Sequence, residues 1–256
     1  MRERFTCRAA LVLGVLGLAL LAARAEQVKE STATKPEPRK DKEGKNDPNW
    51  MKRHEGFVAI AKKGGVEVLF LGDSITDAWR SFDEKNMRGG RRIFEKEFAP
   101  LKAENFGIGG DRTQHVLWRL QNGELDGIQP KVIMLMIGTN NAGSNSAKEI
   151  ADGIKAIVAE IHKRSPKTKV LLLGVFPRGE KPNPMRDKLK EVNKTIAKLD
   201  DGGKTVKYLD IGAKFVQPDG TISKDIMYDF LHLTEKGYRI WADAVQGPIK
   251  ELMGQK

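Results

Sequence analysis

The 256-residue sequence predicts an α/β fold in which helices cover both faces of a parallel sheet. A series of short apolar or β-branched runs has the pattern of strands buried on two sides. Amphipathic helical segments separate these runs, as βαβ units require. Polar, glycine-rich elements follow the runs, at the strand ends where open parallel sheets carry their ligands. The composition, 39% apolar and 31% charged, excludes a multispan membrane protein and a low-complexity chain. A single cysteine excludes a disulfide framework, a Cys-rich zinc site and a CxxC redox pair.

In chain order, the first segment reads as an address. Residues 1–8 are basic, residues 9–22 are almost wholly Leu, Val, Ala and Gly, and Ala23 and Ala25 place small residues at both cleavage positions. This is the pattern of a secretory signal peptide cut after Ala25, and it implies an exported, periplasmic or secreted, protein. The apolar run falls short of the roughly twenty residues that span a bilayer, so no membrane span is expected after processing. Cys7 precedes the run and leaves with the signal. Arg2, Arg4, Arg8 and Arg24 against Glu3 give that segment +3, so its removal lowers the net charge from +11 to +8. No Lys/Arg cluster interleaved with aromatics forms a binding stripe, so the excess reads as a solvated basic surface and nucleic acid is not an expected partner.

Residues 26–48 contain six basic and six acidic residues, and Val28 is their only large apolar one. Such a stretch buries too little apolar surface to offset its ordering entropy, which predicts a flexible tether. The folded unit is then expected over 49–256, with no internal repeat of 20–50 residues. Within it, strands are predicted at 66–71, 131–137, 169–174 and 205–209, with a weaker one at 103–106. Helices are predicted at 91–98, 113–120, 147–163, 187–199 and 234–249. The clearest is the third, where Ile150, Ile154, Ile157, Val158 and Ile161 recur on one side with a 3.6-residue period.

Four polar elements converge on one sheet edge: 72–76 after the first strand, 107–111 after the second, 138–141 after the third, and 229–232 before the last helix. Ser74 stands where a buried strand turns into a helix, and a serine hydroxyl needs a base before it can act as a nucleophile at neutral pH. Of four histidines, His54, His115 and His162 fall on helices, whereas His232 lies in a late loop three residues after Asp229. That spacing lets one turn hold the imidazole and the carboxylate that fixes its tautomer. The Ser74 N–H, the Gly110 N–H and the Asn140 amide are candidate donors for a developing oxyanion. Taken singly, these elements read as turns or helix caps. Their order and placement point to a hydrolase site. A dinucleotide loop is excluded at 107–112 because Arg112 stands at the last glycine position, and no G-x-S-x-G elbow, Walker loop or HExxH is present.

On these blocks the sequence resembles the GDSL, or SGNH, hydrolase superfamily. The resemblance extends to the catalytic α subunits of intracellular platelet-activating-factor acetylhydrolase through residues 105–111 (Asn-Phe-Gly-Ile-Gly-Gly-Asp), 115–120 (His-Val-Leu-Trp-Arg-Leu) and 138–141 (Gly-Thr-Asn-Asn). Residues 177–184 (Pro-Arg-Gly-Glu-Lys-Pro-Asn-Pro) and 229–234 (Asp-Phe-Leu-His-Leu-Thr) extend it further, so that it covers roughly residue 66 to the C-terminus. It implies a three-layer α/β/α sandwich around a parallel sheet of about five strands, flavodoxin-like in order. It also implies a Ser74–His232–Asp229 triad, an oxyanion hole of Ser74, Gly110 and Asn140, a homodimer, and no metal or organic cofactor. The implied activity is serine esterase action on short acyl esters, acetyl above all. An exported enzyme meets polysaccharides, cell-wall material and lipids, and an acetylated extracytoplasmic carbohydrate is the expected substrate, with phospholipid or another lipid ester as the alternative. A non-catalytic glycan- or protein-binding module on the same scaffold is the rival of another class. Two departures stand out: the intracellular enzymes lack an export signal, and residues 79–102 are longer than their counterpart, directly after Ser74, where a loop shapes the acyl or leaving-group pocket.

Overall fold

A computed structural model describes residues 31–255 of the chain; the expected signal peptide, its cleavage site and Cys7 lie outside them. Five parallel strands form one sheet: β1 (Val68–Gly72), β2 (Ala103–Asn105), β3 (Val132–Met136), β4 (Lys169–Leu173) and β5 (Val206–Leu209). Their spatial order is β2-β1-β3-β4-β5. This is the doubly wound, flavodoxin-like order, whose switch point lies between β1 and β3.

Seven helices accompany the strands: α1 (Pro48–Lys63), α2 (Ser74–Asp77), α3 (Arg91–Glu97), α4 (Thr113–Arg119), α5 (Ala147–Arg164), α6 (Pro184–Ile196) and α7 (Glu235–Leu252). Strand pleating sends alternate side chains to opposite faces. Leu69, Leu71, Ile133, Leu135, Val170 and Leu172 join α1, α4, α5 and α6 in one core. Val68, Phe70, Val132, Met134, Leu171 and Leu173 join α3 and α7 in the other. The sheet is therefore the middle of three layers, as expected, and strand and helix boundaries fall within a few residues of the sequence reading. The helix over 147–163 has a sequence-legible start, since Ser146 and Glu149 close a capping box around its first turn.

The expected tether is different. Residues 31–47 lie on the folded unit. Ala33 is fully buried, and its carbonyl accepts the Thr113 hydroxyl at 2.8 Å. Asn145 Nδ2 donates to Thr32 Oγ1 at 3.0 Å. At Gly153 a Cβ would come within 2.6 Å of the Ala33 carbonyl oxygen, so only glycine lets the segment lie this close to α5. Arg39 is held by Asp47 at 2.9 Å, and Asp47 also caps α1 by accepting from Asn49 N and Trp50 N. The segment docks chiefly through hydrogen bonds, with Ala33 its one buried side chain, and a composition argument based on apolar content cannot register that.

Candidate active site

The three strands at the switch point each deliver one loop to the same place. After β1, Asp73 caps α2 by accepting the Ile75 N–H, which fixes the first turn with Ser74 at its start. First-turn N–H groups have no helical acceptor, so the Ser74 N–H remains available. After β2, residues 107–110 pass beside the serine: a Cβ on Gly109 would sit 3.7 Å from Ser74 Cβ. After β3, the short turn Thr139–Asn141 brings Asn140 Nδ2 to the Asp111 carbonyl at 2.8 Å. Ser74, Gly110 and Asn140 therefore belong to adjoining loops at one sheet edge.

The fourth loop supplies the base. Ser74 Oγ and His232 Nε2 are 2.9 Å apart, and His232 Nδ1 and Asp229 Oδ2 are 2.7 Å apart. An ionised carboxylate only accepts, so Nδ1 carries the proton and Nε2 accepts from the Ser74 hydroxyl. Burial alone would push the Asp229 carboxyl up. The hydrogen bonds from the His232 ring and main chain, with that from the Leu231 N–H, outweigh it and hold the carboxyl below the usual carboxylate range. Asp229 Oδ1 accepts from Leu231 N at 3.1 Å and His232 N at 2.7 Å, so the same carboxylate that orients the ring also folds the turn. Phe230, between them, sits at φ 61°, a left-handed conformation that a bulky residue adopts at a cost of order 1–3 kcal/mol. Farther on, Tyr238 of α7 donates its hydroxyl to the Ile75 carbonyl at 2.6 Å, tying the histidine side of the site to the serine side.

The other histidines lie elsewhere. His54 Nδ1 meets Glu124 at 2.9 Å in the core. His115 accepts the Arg112 N–H at 3.1 Å, and burial, with Arg112, Arg39 and Arg119 nearby, pushes it down to about 3. His162 lies on α5, away from the loops.

Several residues that organise the site carry no motif signature. Asp77 accepts the Gly109 N–H at 3.0 Å and is itself paired with Arg53 at 2.9 Å and with Arg80. Arg53 and Arg80 also donate to the Gly107 carbonyl. Arg39 donates to the Gly109 carbonyl at 2.5 Å. Gly110 lies at φ 81°, and a Cβ there would be 3.2 Å from the Arg39 guanidinium. The expected reason for this glycine, close approach of a substrate, is thus joined by two others: a left-handed backbone and the arginine packed over it. Asp111 is gripped from behind by Trp50 Nε1 at 2.6 Å and by Arg119 Nε at 2.9 Å. Each of these polar groups is bonded, Asp111 and Arg119 in full burial and Arg39, Arg53, Asp77 and Arg80 partly exposed, which ties the loop to the elements behind it.

Asp73 has a further property. Its Oδ2 is buried without a partner. Burial raises its carboxyl from the ordinary 3.8 to about 7, against the Ile75 N–H and with the Asp111 charge adding to the rise. An acid held neutral in the fold destabilises it only where the unfolded chain ionises. That cost is absent below about pH 3.8, grows up to about pH 7, and is constant above. Asp73→Asn keeps an oxygen for the Ile75 N–H. It is expected to raise the melting temperature by about 5 °C more at pH 8 than at pH 4. Thermal scans at the two pH values check this, and equal shifts at both would overturn it.

Residues 70–240 match the model of the GDSL-like lipase/acylhydrolase family. Over 226 residues, 88% of this chain and 93% of the relative, the sequence is 42% identical to the human platelet-activating factor acetylhydrolase IB subunit alpha1. The chain belongs to the GDSL-like lipase/acylhydrolase family. It is thereby an acylhydrolase of the ester-hydrolase class. The human alpha2 subunit is 44% identical over 209 residues, 82% of this chain and 85% of that one. Among solved structures, a GDSL-like lipase from Bacteroides thetaiotaomicron superposes with a TM-score of 0.61 at 21% identity, covering 78% of this chain and 97% of the other. A mutant of an acetylxylan esterase from Geobacillus stearothermophilus does so at 0.54 and 18%, covering 75% and 96%. These two share the fold of the family. Among the described residues no helix is long and apolar enough to cross a membrane.

Proposed function

We propose that the protein is a serine esterase that removes short acyl groups, acetyl first, from an extracytoplasmic carbohydrate. The observation that carries this reading is the unbroken Ser74–His232–Asp229 chain at the switch point, with hydrogen bonds of 2.9 and 2.7 Å. His232 takes the hydroxyl proton as Ser74 Oγ attacks the ester carbonyl. The Ser74 N–H, the Gly110 N–H and the Asn140 amide receive the negative charge of the tetrahedral intermediate. Asn140 already spends one amide hydrogen on the Asp111 carbonyl, which aims the other. His232 then gives its proton to the leaving alcohol, and in the second half-reaction activates water against the acyl-serine. Asp229 holds the ring and its charge throughout.

Acetyl specificity is supported by the relatives at 42–44% identity, which are acetylhydrolases by name. Carbohydrate is the first choice of alcohol because the N-terminal pattern reads as an export signal, cleaved after Ala25, and export brings the enzyme to polysaccharide. A lipid acetyl ester is the second reading, favoured by the name of those same relatives. A fluorophosphonate probe is expected to label Ser74, and acetylated xylan is expected to release acetate faster than a short-chain acetylated phospholipid. An unlabelled Ser74 in folded protein would favour a non-catalytic binder, and acetate from the lipid alone would reverse the order of substrates.

A further inference from the structure

Residues 86–88, α3 and the start of α7 enclose a groove of about 830 Å³, a volume typical of a ligand site. It shares a wall with the triad. Tyr228 lines the groove, and its ring lies nearly parallel to that of His232, 6.0 Å away. The segment after Ser74 supplies the opposite rim. Its Arg88 bridges to Thr234, and its Met87 carbonyl accepts the Glu235 N–H at 2.9 Å.

The groove is strongly basic: six cations face two carboxylates, Asp225 and Glu235. Arg92 is neutralised by Glu235 at 2.7 Å, and Arg239 by Glu97 and Asp243. Among the described residues, Arg88, Lys96, Lys224 and Lys236 have no carboxylate within ion-pair distance. Two of the four are held by aromatic faces instead, Arg88 at 4.0 Å over Tyr228 and Lys224 at 5.5 Å over Phe230. Such contacts position a cation without cancelling its charge. Like charges gathered along a concave wall focus the potential and draw a negatively charged ligand to it.

We infer that this groove is a subsite for the negatively charged chain of an O-acetylated acidic polysaccharide, an inference that rests on the Ser74 esterase reading and narrows its substrate. A chain fits where a bilayer does not. The cations line a concavity rather than a plane, and among the described residues Met87, 45% exposed, is the one large apolar side chain that stands out in solvent. Membrane surface binding needs a broad apolar face beside the basic one. With sugar carboxylates in the groove, an acetylated unit of the same chain reaches Ser74 past Tyr228.

The test uses the full chain in three measurements. Wild type is expected to hydrolyse O-acetylated polygalacturonate with a kcat/KM about fivefold or more above that for acetylated xylan at low salt, and to lose the difference at 0.5 M NaCl. The Lys96→Gln/Lys236→Gln double variant, both sites exposed on helices, is expected to lose most of that preference at low salt. Ser74→Ala, unable to turn over, is expected to bind de-esterified polygalacturonate in a salt-sensitive way. Equal rates on both polymers, or binding by Ser74→Ala to phosphatidylglycerol vesicles but not to polygalacturonate, overturns the subsite. Failure of wild type to cleave any acetyl ester, p-nitrophenyl acetate included, overturns the esterase reading instead, and the binding measurement stands apart from it.

Discussion

Ser74→Ala is expected to lower kcat on p-nitrophenyl acetate by about 10⁴-fold or more, with the circular dichroism spectrum unchanged and the melting temperature within about 2 °C of wild type. The size follows from what the hydroxyl does. The Ser74 hydroxyl makes a 2.9 Å hydrogen bond with His232, and it is the atom placed to attack. Its removal leaves the oxyanion donors and the binding surface, which by themselves give only residual catalysis. The small structural cost follows from the surroundings. The side chain is half-buried, alanine retains its Cβ, and His232 keeps its bonds to Asp229. Asp73, not Ser74, caps α2. Activity retained at more than a few per cent of wild type would remove Ser74 as the nucleophile, and a large fall in melting temperature would recast it as a structural residue.

The Ser74 and Asn140 loops are legible in the sequence because a buried strand announces each of them. Parallel strands covered on both faces must be nearly continuous apolar runs, so 68–72, 132–136 and 169–173 stand out against the amphipathic helices between them. The residues after each run then fall at the carboxyl edge. The pairing of Asp229 with His232 is legible because three residues is the length of one turn, and the carboxylate folds that turn by accepting two of its N–H groups.

What the sequence hides has a common cause. Arg39 reaches Gly109 across 70 positions and Arg88 reaches Tyr228 across 140, and a charged residue in a polar stretch looks the same whether it is solvated or holding a carbonyl or a ring. The stretch 31–47 reads as a tether for the same reason, since its attachment is made largely of polar contacts with α4, the turn before α5 and the Gly109 loop. Asp77 is similarly silent. It sits three residues after Ser74 and positions the Gly109 N–H beside it, and nothing in its neighbours announces that the partner comes from the next loop.

Asp229→Asn is the sharpest test of the assigned tautomer, and it is expected to lower kcat by about 10³- to 10⁴-fold with little change in KM. In the wild type the carboxylate has two jobs: Oδ1 accepts from two main-chain N–H groups, while Oδ2 accepts from the His232 ring at 2.7 Å. An asparagine has one oxygen and one amide. The turn claims the oxygen, because its two N–H donors would otherwise lose their acceptor and face an amide donor instead. The amide then faces His232 Nδ1 and donates to it, so the ring proton moves to Nε2. That nitrogen now points a hydrogen at Ser74 Oγ, and a donor cannot take the serine proton. The fold survives, because the turn keeps both of its N–H bonds. Raising the pH offers no recovery, because a neutral ring in the wrong tautomer remains a donor toward Ser74. An Asp229→Ala variant removes the amide donor, so its ring is free to adopt either tautomer, and it is expected to retain more activity than Asp229→Asn. Equal activity for the two variants would mean that the charge of Asp229, not the tautomer it selects, dominates its contribution.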